Sequence, residues 1–175
     1  MILPKSVKTG LTGGAAVAFY FVLLYFSGRD YFLNPFIQWA SMGIYLYFMW
    51  QAAKTDCHIH GSARDFREIV RTPFIVFLLI NLCYWMLYYA LHLFDPKLVS
   101  IELNMELADI QSKLQAGVGD PQMANALRER EVEIESTLNS TPVQPLGPII
   151  NRMFMGALGG FAISAVIAAI IRSRK

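Results

Sequence analysis

The densest run of reactive side chains in this 175-residue sequence is Cys57-His58-Ile59-His60, three metal-ligating residues within four positions. Thiolate and imidazole are donors that zinc accepts, but structural zinc wants four of them in a closed tetrahedron. The remaining histidine, His92, belongs to the far end of a long apolar block, about 30 Å away if that block crosses a bilayer. The run therefore reads as a solvated connection, and no metal or other cofactor is expected. Cys57 and Cys83 fall in different environments and offer no plausible disulfide. His92 and Asp95 stand one helical turn apart, and Arg152 opens another apolar block. An arginine in the first turns of a helix opposes the helix dipole and calls for a partner. Asp95 is the nearest candidate, so an Asp95–Arg152 pair is expected at the base of the segment between them.

Four uncharged polar residues, Gln38, Ser41, Gln51 and Asn81, interrupt otherwise apolar blocks. Polar groups in such places are suspects for function, yet an interhelical hydrogen bond worth about 1 kcal/mol accounts for an asparagine without a substrate. A proton-coupled carrier needs a carboxylate or histidine at depth, and these blocks hold none there. No Gly-rich phosphate loop, no Ser-His-Asp or Cys-His set with a common location and no paired carboxylates occur. Catalytic residues are not expected.

The elements that carry these residues follow from composition. Apolar residues make up 55% of the chain, and the mean hydropathy is +0.40. They concentrate at about 9–27, 35–53, 73–94 and 148–171, each near the 20 residues that cross about 30 Å of hydrocarbon. Arg152 is the lone charged residue among them, and an ionised group at a bilayer centre costs about 2.5–3.5 kcal/mol on the insertion scale. The expected fold is an all-α integral membrane protein of four transmembrane helices. Three lie within 1–94, an extramembrane two-helix hairpin fills 95–147, and the fourth occupies 148–175 with a basic tail. Lys5 and Lys8 before the first block also fit a signal peptide, but Tyr25-Phe26 offers no small-residue cleavage site, so an uncleaved span is expected.

Basic residues stay on the cytoplasmic side of span ends. Lys5, Lys8, Lys54, Arg64, Arg67, Arg71, Arg172, Arg174 and Lys175 share one side if four spans cross. The opposite side has Arg29 and the 95–147 segment, in which nine acidic residues outweigh Lys97, Lys113, Arg128 and Arg130. Both termini are expected in the cytoplasm, with the acidic hairpin outside. Arg64, Arg67 and Arg71 share one face that would meet anionic headgroups, and the aromatics near the span ends suit interfacial belts.

Asn34-Pro35, Thr72-Pro73, Asp95-Pro96 and Asp120-Pro121 each set a capping side chain before a proline, and Gly147-Pro148 a glycine; all five read as helix starts. The outer segment then becomes two helices, Pro96 to about Ala116 and Pro121 to about Leu138, joined at Gly117-Val118-Gly119. Leu103, Leu107, Ile110 and Leu114 draw an apolar seam on the first, with Asp109 and Lys113 as an i,i+4 pair. On the second, Met123, Leu127, Ile134 and Leu138 form a stripe interrupted by Arg130 and Glu131, leaving Glu129, Glu133 and Glu135 wet. Gly10, Gly13 and Gly14 in the first span recur in spacing as Gly156, Gly159 and Gly160 in the fourth, extended by Ser164. Such small-residue faces let helix backbones approach closely in lipid. Their positions in oppositely directed spans place the two patches at opposite depths.

The Gly-rich opening of the first span, the aromatic run closing on Leu93-Phe94-Asp95-Pro96, the charged outer segment, and the Gly-rich last span from Met155-Gly156 to Arg172-Ser173-Arg174-Lys175 together resemble a bacterial family of small inner-membrane proteins, domain-of-unknown-function family 4199. The resemblance implies a small bacterial inner-membrane protein without an assigned activity or known catalytic residues, so it carries over no functional residue. The expected function is a non-enzymatic scaffold or accessory subunit that presents the hairpin to a protein partner or another copy of itself. Its expected partners are membrane lipids and such a protein, with no nucleic acid. The rival is a small transporter or channel lined by Asn81, Gln38, Gln51 and the glycine faces, which requires a cavity reaching the bilayer midplane.

Overall fold

The computed structural model describes residues 4–60, 65–117, 119–140 and 146–173. Every element among them is helical: α1 (Lys5–Ser27), α2 (Arg29–Leu33), α3 (Pro35–Ala40), α4 (Met42–His60), α5 (Phe66–Phe94), α6 (Pro96–Ala116), α7 (Pro121–Asn139) and α8 (Leu146–Ser173). Of these, α1, α5 and α8 are long and apolar enough to cross a membrane. The chain divides into two compact units, 1–88 with 146–175 and 89–145. The link 141–145, together with Val118, Arg64, Arg174 and Lys175, lies outside the described residues.

In the first unit α5 touches α1, α4 and α8. Cβ atoms placed at Gly10 and Gly14 would lie 2.7 Å from Leu79 Cδ1 and 2.6 Å from Cys83 Sγ, so residue numbers rise together along α1 and α5 and the two helices run parallel. Gly156 borders Asn81, and Gly160 meets Phe77; here four residues up one helix match four down the other, and α8 is antiparallel to α5. Both glycine patches consequently flank the same Phe77–Cys83 stretch of α5. The expectation of opposite depths is overturned, because axial stagger between helices sets depth and position within a helix does not.

The 35–53 block is not one continuous helix. Ser41 N–H and Oγ both donate to the Gln38 carbonyl, at 3.1 and 2.7 Å. That oxygen is the acceptor a regular helix would offer to Met42, so local hydroxyl bonding competes with the helical ladder and marks the break between α3 and α4. The Cys57–His60 run, expected in a connection, forms the last turn of α4. No glycine or proline intervenes to stop the helix before residue 61.

Two of the five expected starts have a side-chain cap as described. Asn34 Oδ1 accepts from Phe36 and Ile37 N–H at 3.0 and 3.4 Å, and Asp120 Oδ1 accepts from Gln122 N–H at 2.9 Å. Pro96 opens α6, but the Asp95 side chain does not cap it, and α8 begins two residues before Pro148, at Leu146. Thr72-Pro73 starts nothing: Pro73 is inside α5. The Thr72 hydroxyl donates to Asp56 Oδ2 of α4 instead, at 3.1 Å. Proline forfeits one backbone hydrogen bond there, while the turn before it buries Ile69 and Val70 against Ala168 of α8, an apolar contact that offsets the loss. The two positive-φ glycines, Gly28 (+146°) and Gly117 (+83°), close α1 and α6 in a region that side chains rarely adopt.

In the second unit α6 and α7 lie side by side, with Ile110 and Ile134 buried. Arg130 grips Glu106 with two hydrogen bonds, Nε–Oε1 at 2.8 Å and Nη2–Oε2 at 3.2 Å, and reaches Glu133 at 2.8 Å. Gln111 donates to Glu131 at 3.0 Å, and Lys113 pairs with Asp109. Arg130 and Glu131, read from sequence as interruptions of an apolar stripe, are the polar ties across the helix pair. Hydrogen bonds that the guanidinium donates to Glu106 first and Glu133 second hold its pKa above its ordinary value.

Candidate ligand cavity in the helical bundle

The glycines of α1 are packing surfaces. A Cβ at Gly13 would lie 2.6 Å from Ile80 Cδ1 and 3.0 Å from Phe48 Cγ, which closes α1 onto both α5 and α4. The α8 face is divided. A Cβ at Gly160 would overlap the Phe77 ring, one at Gly156 would sit 3.6 Å from Asn81 Oδ1, and one at Gly159 would meet nothing within 4 Å. Ser164 turns back to its own helix, its hydroxyl donating to the Gly160 carbonyl at 2.7 Å.

Gly159 opens on a cavity of about 430 Å³ walled by α1, α3, α4, α5 and α8, a volume in the range of small-molecule sites. On α5 the lining residues are Phe77, Asn81, Tyr84 and Trp85; on α8 they are Arg152, Gly156, Gly159, Gly160 and Ile163. Each set recurs at i, i+4, i+7 and i+8, the spacing of one helical face. That periodicity was present in the sequence, where Tyr84 and Trp85 read only as belt aromatics. Phe21, Tyr45 and Met42 complete an apolar wall.

Most polar lining groups are already engaged. Asn81 Nδ2 donates to the Met153 carbonyl of α8 at 3.2 Å, Gln38 Nε2 donates to the Phe32 carbonyl at 2.9 Å, and Ser41 bonds Gln38. Close by, Tyr20 hydroxyl donates to the Ile37 carbonyl at 2.8 Å, tying α1 to α3. The Trp85 indole N–H is shielded and lacks an oxygen acceptor; its ring is edge-to-face with Tyr84 and Tyr88, at centroid distances of 5.0 and 5.3 Å. Gln51 is exposed on α4 and does not line the cavity. The structure thus brings Gln38, Asn81 and the α8 glycines together and leaves Gln51 outside.

Arg152 lines the cavity, and among the described residues of the first unit no carboxylate pairs with it. Asp95 belongs to the second unit and is buried there, 8% exposed. On the last turn of α5, in that same unit, the His92 side chain is fully buried with Nε2 3.4 Å from Glu102 Oε2. Among the described residues no group of three His, Cys, Asp or Glu side chains is placed to hold a metal ion.

The site is therefore an apolar chamber with fixed neutral polar groups and one cation, without a nucleophile–base pair. No curated protein and no solved structure matches the chain. A family model matches residues 8–173, taking in every helix that builds the chamber as well as α6 and α7, and the chain accordingly belongs to the family described as protein of unknown function DUF4199.

Proposed function

We propose that this protein is a non-enzymatic scaffold or accessory subunit of the bacterial inner membrane, anchored by four spans with both termini cytoplasmic. In this reading α3 and α4 together make the second crossing. The parallel course of α1 and α5 supports it: a chain that crosses twice in one direction must return between the two crossings. The α6–α7 hairpin is then extracytoplasmic and meets a protein partner or a second copy of this chain. The observation that carries the assignment is the closure of α6 on α7 by Ile110, Ile134 and the Arg130–Glu106 grip, which leaves Val132 and Met123 exposed, at 65% and 53%, with no part in that seam.

A photo-crosslinker at Val132 tests this in the intact membrane. A single adduct of defined mass, either a dimer or one partner, supports the proposal, with a crosslinker at buried Ile134 as the intramolecular control. Absence of any adduct from Val132 and Met123 alike overturns it. The second reading, a small transporter or channel, is favoured by the cavity beside Gln38, Asn81 and the α8 glycines. It requires water to reach the chamber, so Gly159→Cys should react with membrane-impermeant thiol reagents, and protection from them from both sides excludes a hydrated path.

A further inference from the structure

The chamber is open along one flank. Trp39 of α3 stands at its rim 72% exposed, whereas Phe77 on the inner wall is 4% exposed. Gly159 is also exposed and leaves its place in the wall empty. A flank of this kind on a bundle that spans a membrane faces hydrocarbon, so an occupant can enter sideways from the lipid. Matching Asn81 to Gly156 and Phe77 to Gly160 sets Trp85 level with Arg152, one turn farther along. The α8 wall then runs eleven helical steps from Arg152 to Ile163, about 16 Å at 1.5 Å per step. That is close to half the ~30 Å hydrocarbon thickness, the depth of one leaflet.

The chemistry changes along this length. At one end stands a guanidinium, a five-donor fork suited to phosphate oxygens, without a carboxylate partner among the described residues of its unit. Along the rest are Phe21, Tyr45, Phe77 and Ile163, with Gln38, Ser41 and Asn81 bonded to backbone carbonyls. We infer that this groove is a binding site for one anionic phospholipid, with an acyl chain laid along the Gly156–Ile163 face and the phosphate held by Arg152. The inference rests on the first unit spanning a membrane and is independent of what the hairpin contacts.

Native mass spectrometry of the full chain, released from vesicles of phosphatidylglycerol mixed with zwitterionic phosphatidylethanolamine, provides the test. The wild type should retain one phosphatidylglycerol in preference to phosphatidylethanolamine. Arg152→Gln should weaken phosphatidylglycerol binding about tenfold, the factor carried by one charge-assisted hydrogen bond, and erase the preference. Gly159→Leu, which grows a side chain into open space, should displace both lipids. Arg172→Gln, at the other end of α8, should change neither, and equal melting points should show that the variants are folded. Loss of the preference in Arg172→Gln to the same degree as in Arg152→Gln overturns the site, as does undiminished retention by Gly159→Leu. Competition by free palmitate at equal concentration would assign the groove to a fatty acid and overturn the phospholipid.

Discussion

Two adjacent glycines on α8 should respond oppositely to the same substitution. A Cβ at Gly160 would lie 2.6 Å from Phe77 Cγ and closer still to the ring edge, against a favourable carbon–carbon separation of about 3.5–4.0 Å. The ring must retreat by about 1 Å. Its retreat is hindered by the Tyr45 ring, whose centroid is 5.3 Å away. Overpacking of this order costs about 1–3 kcal/mol, and the gain in helix propensity from glycine to alanine returns up to ~1 kcal/mol. Gly160→Ala should therefore lose up to about 2 kcal/mol. Gly159→Ala, with nothing within 4 Å, should keep the propensity gain, so the two variants differ by the overpacking cost alone, about 1–3 kcal/mol. At about 2–4 °C per kcal/mol for a chain of this length, their melting points should be separated by about 2–12 °C. A fluorogenic thiol dye in detergent can follow this in a Cys57→Ser background, since Cys83 lies against Gly14 and is unmasked when α1 leaves α5. Phe77→Leu should recover much of the loss in Gly160→Ala. Equal melting of the two alanine variants, or a loss that Phe77→Leu leaves untouched, would refute close Gly160–Phe77 packing.

Asn81→Leu removes the hydrogen bond to the Met153 carbonyl and should cost about 1 kcal/mol in the same melt; a change of less than a degree would mean that the bond does not hold α5 to α8. Gly14→Ala should destabilise and resist rescue by Cys83→Ala, because the Cys83 Cβ itself lies 2.9 Å from the added carbon; full rescue would place the clash at the thiol alone. Arg130→Ala should loosen α6 from α7 by about 1 kcal/mol, a small figure because these exposed ion pairs are screened by water. Hydrogen exchange along α7 should quicken accordingly, and identical exchange in wild type and variant would remove the Glu106–Arg130 grip from the account.

Helix formation and its chemistry were legible where local rules suffice. The apolar blocks mark α1, α5 and α8 because a run of about 20 apolar residues has few other places to be. Asn34 and Asp120 announce α3 and α7 because a cap is made within three residues. Thr72-Pro73 misled for the complementary reason: the threonine hydroxyl has a partner, Asp56, on a different helix, and no local pattern reveals it. Ser41 was visible as a polar residue in an apolar block, but its competition for the Gln38 carbonyl is a geometric fact. The cavity lay half-hidden in the shared periodicity of the α5 and α8 faces, and Gln51, equally polar, has no place in it.

Composition and spacing by themselves pointed to a helical membrane protein with four apolar blocks, three of which are helices fit for a membrane among the described residues, and to two glycine faces able to pack closely, all properties of single segments. The tertiary structure decided the directions of the helices, the stagger that brings both glycine faces to the same turns of α5, and the difference between Gly160, pressed on Phe77, and Gly159, open to the chamber. Stagger and direction depend on pairs of helices, and lipid gives neighbouring helices no hydrophobic drive that would betray the pairing in either sequence alone.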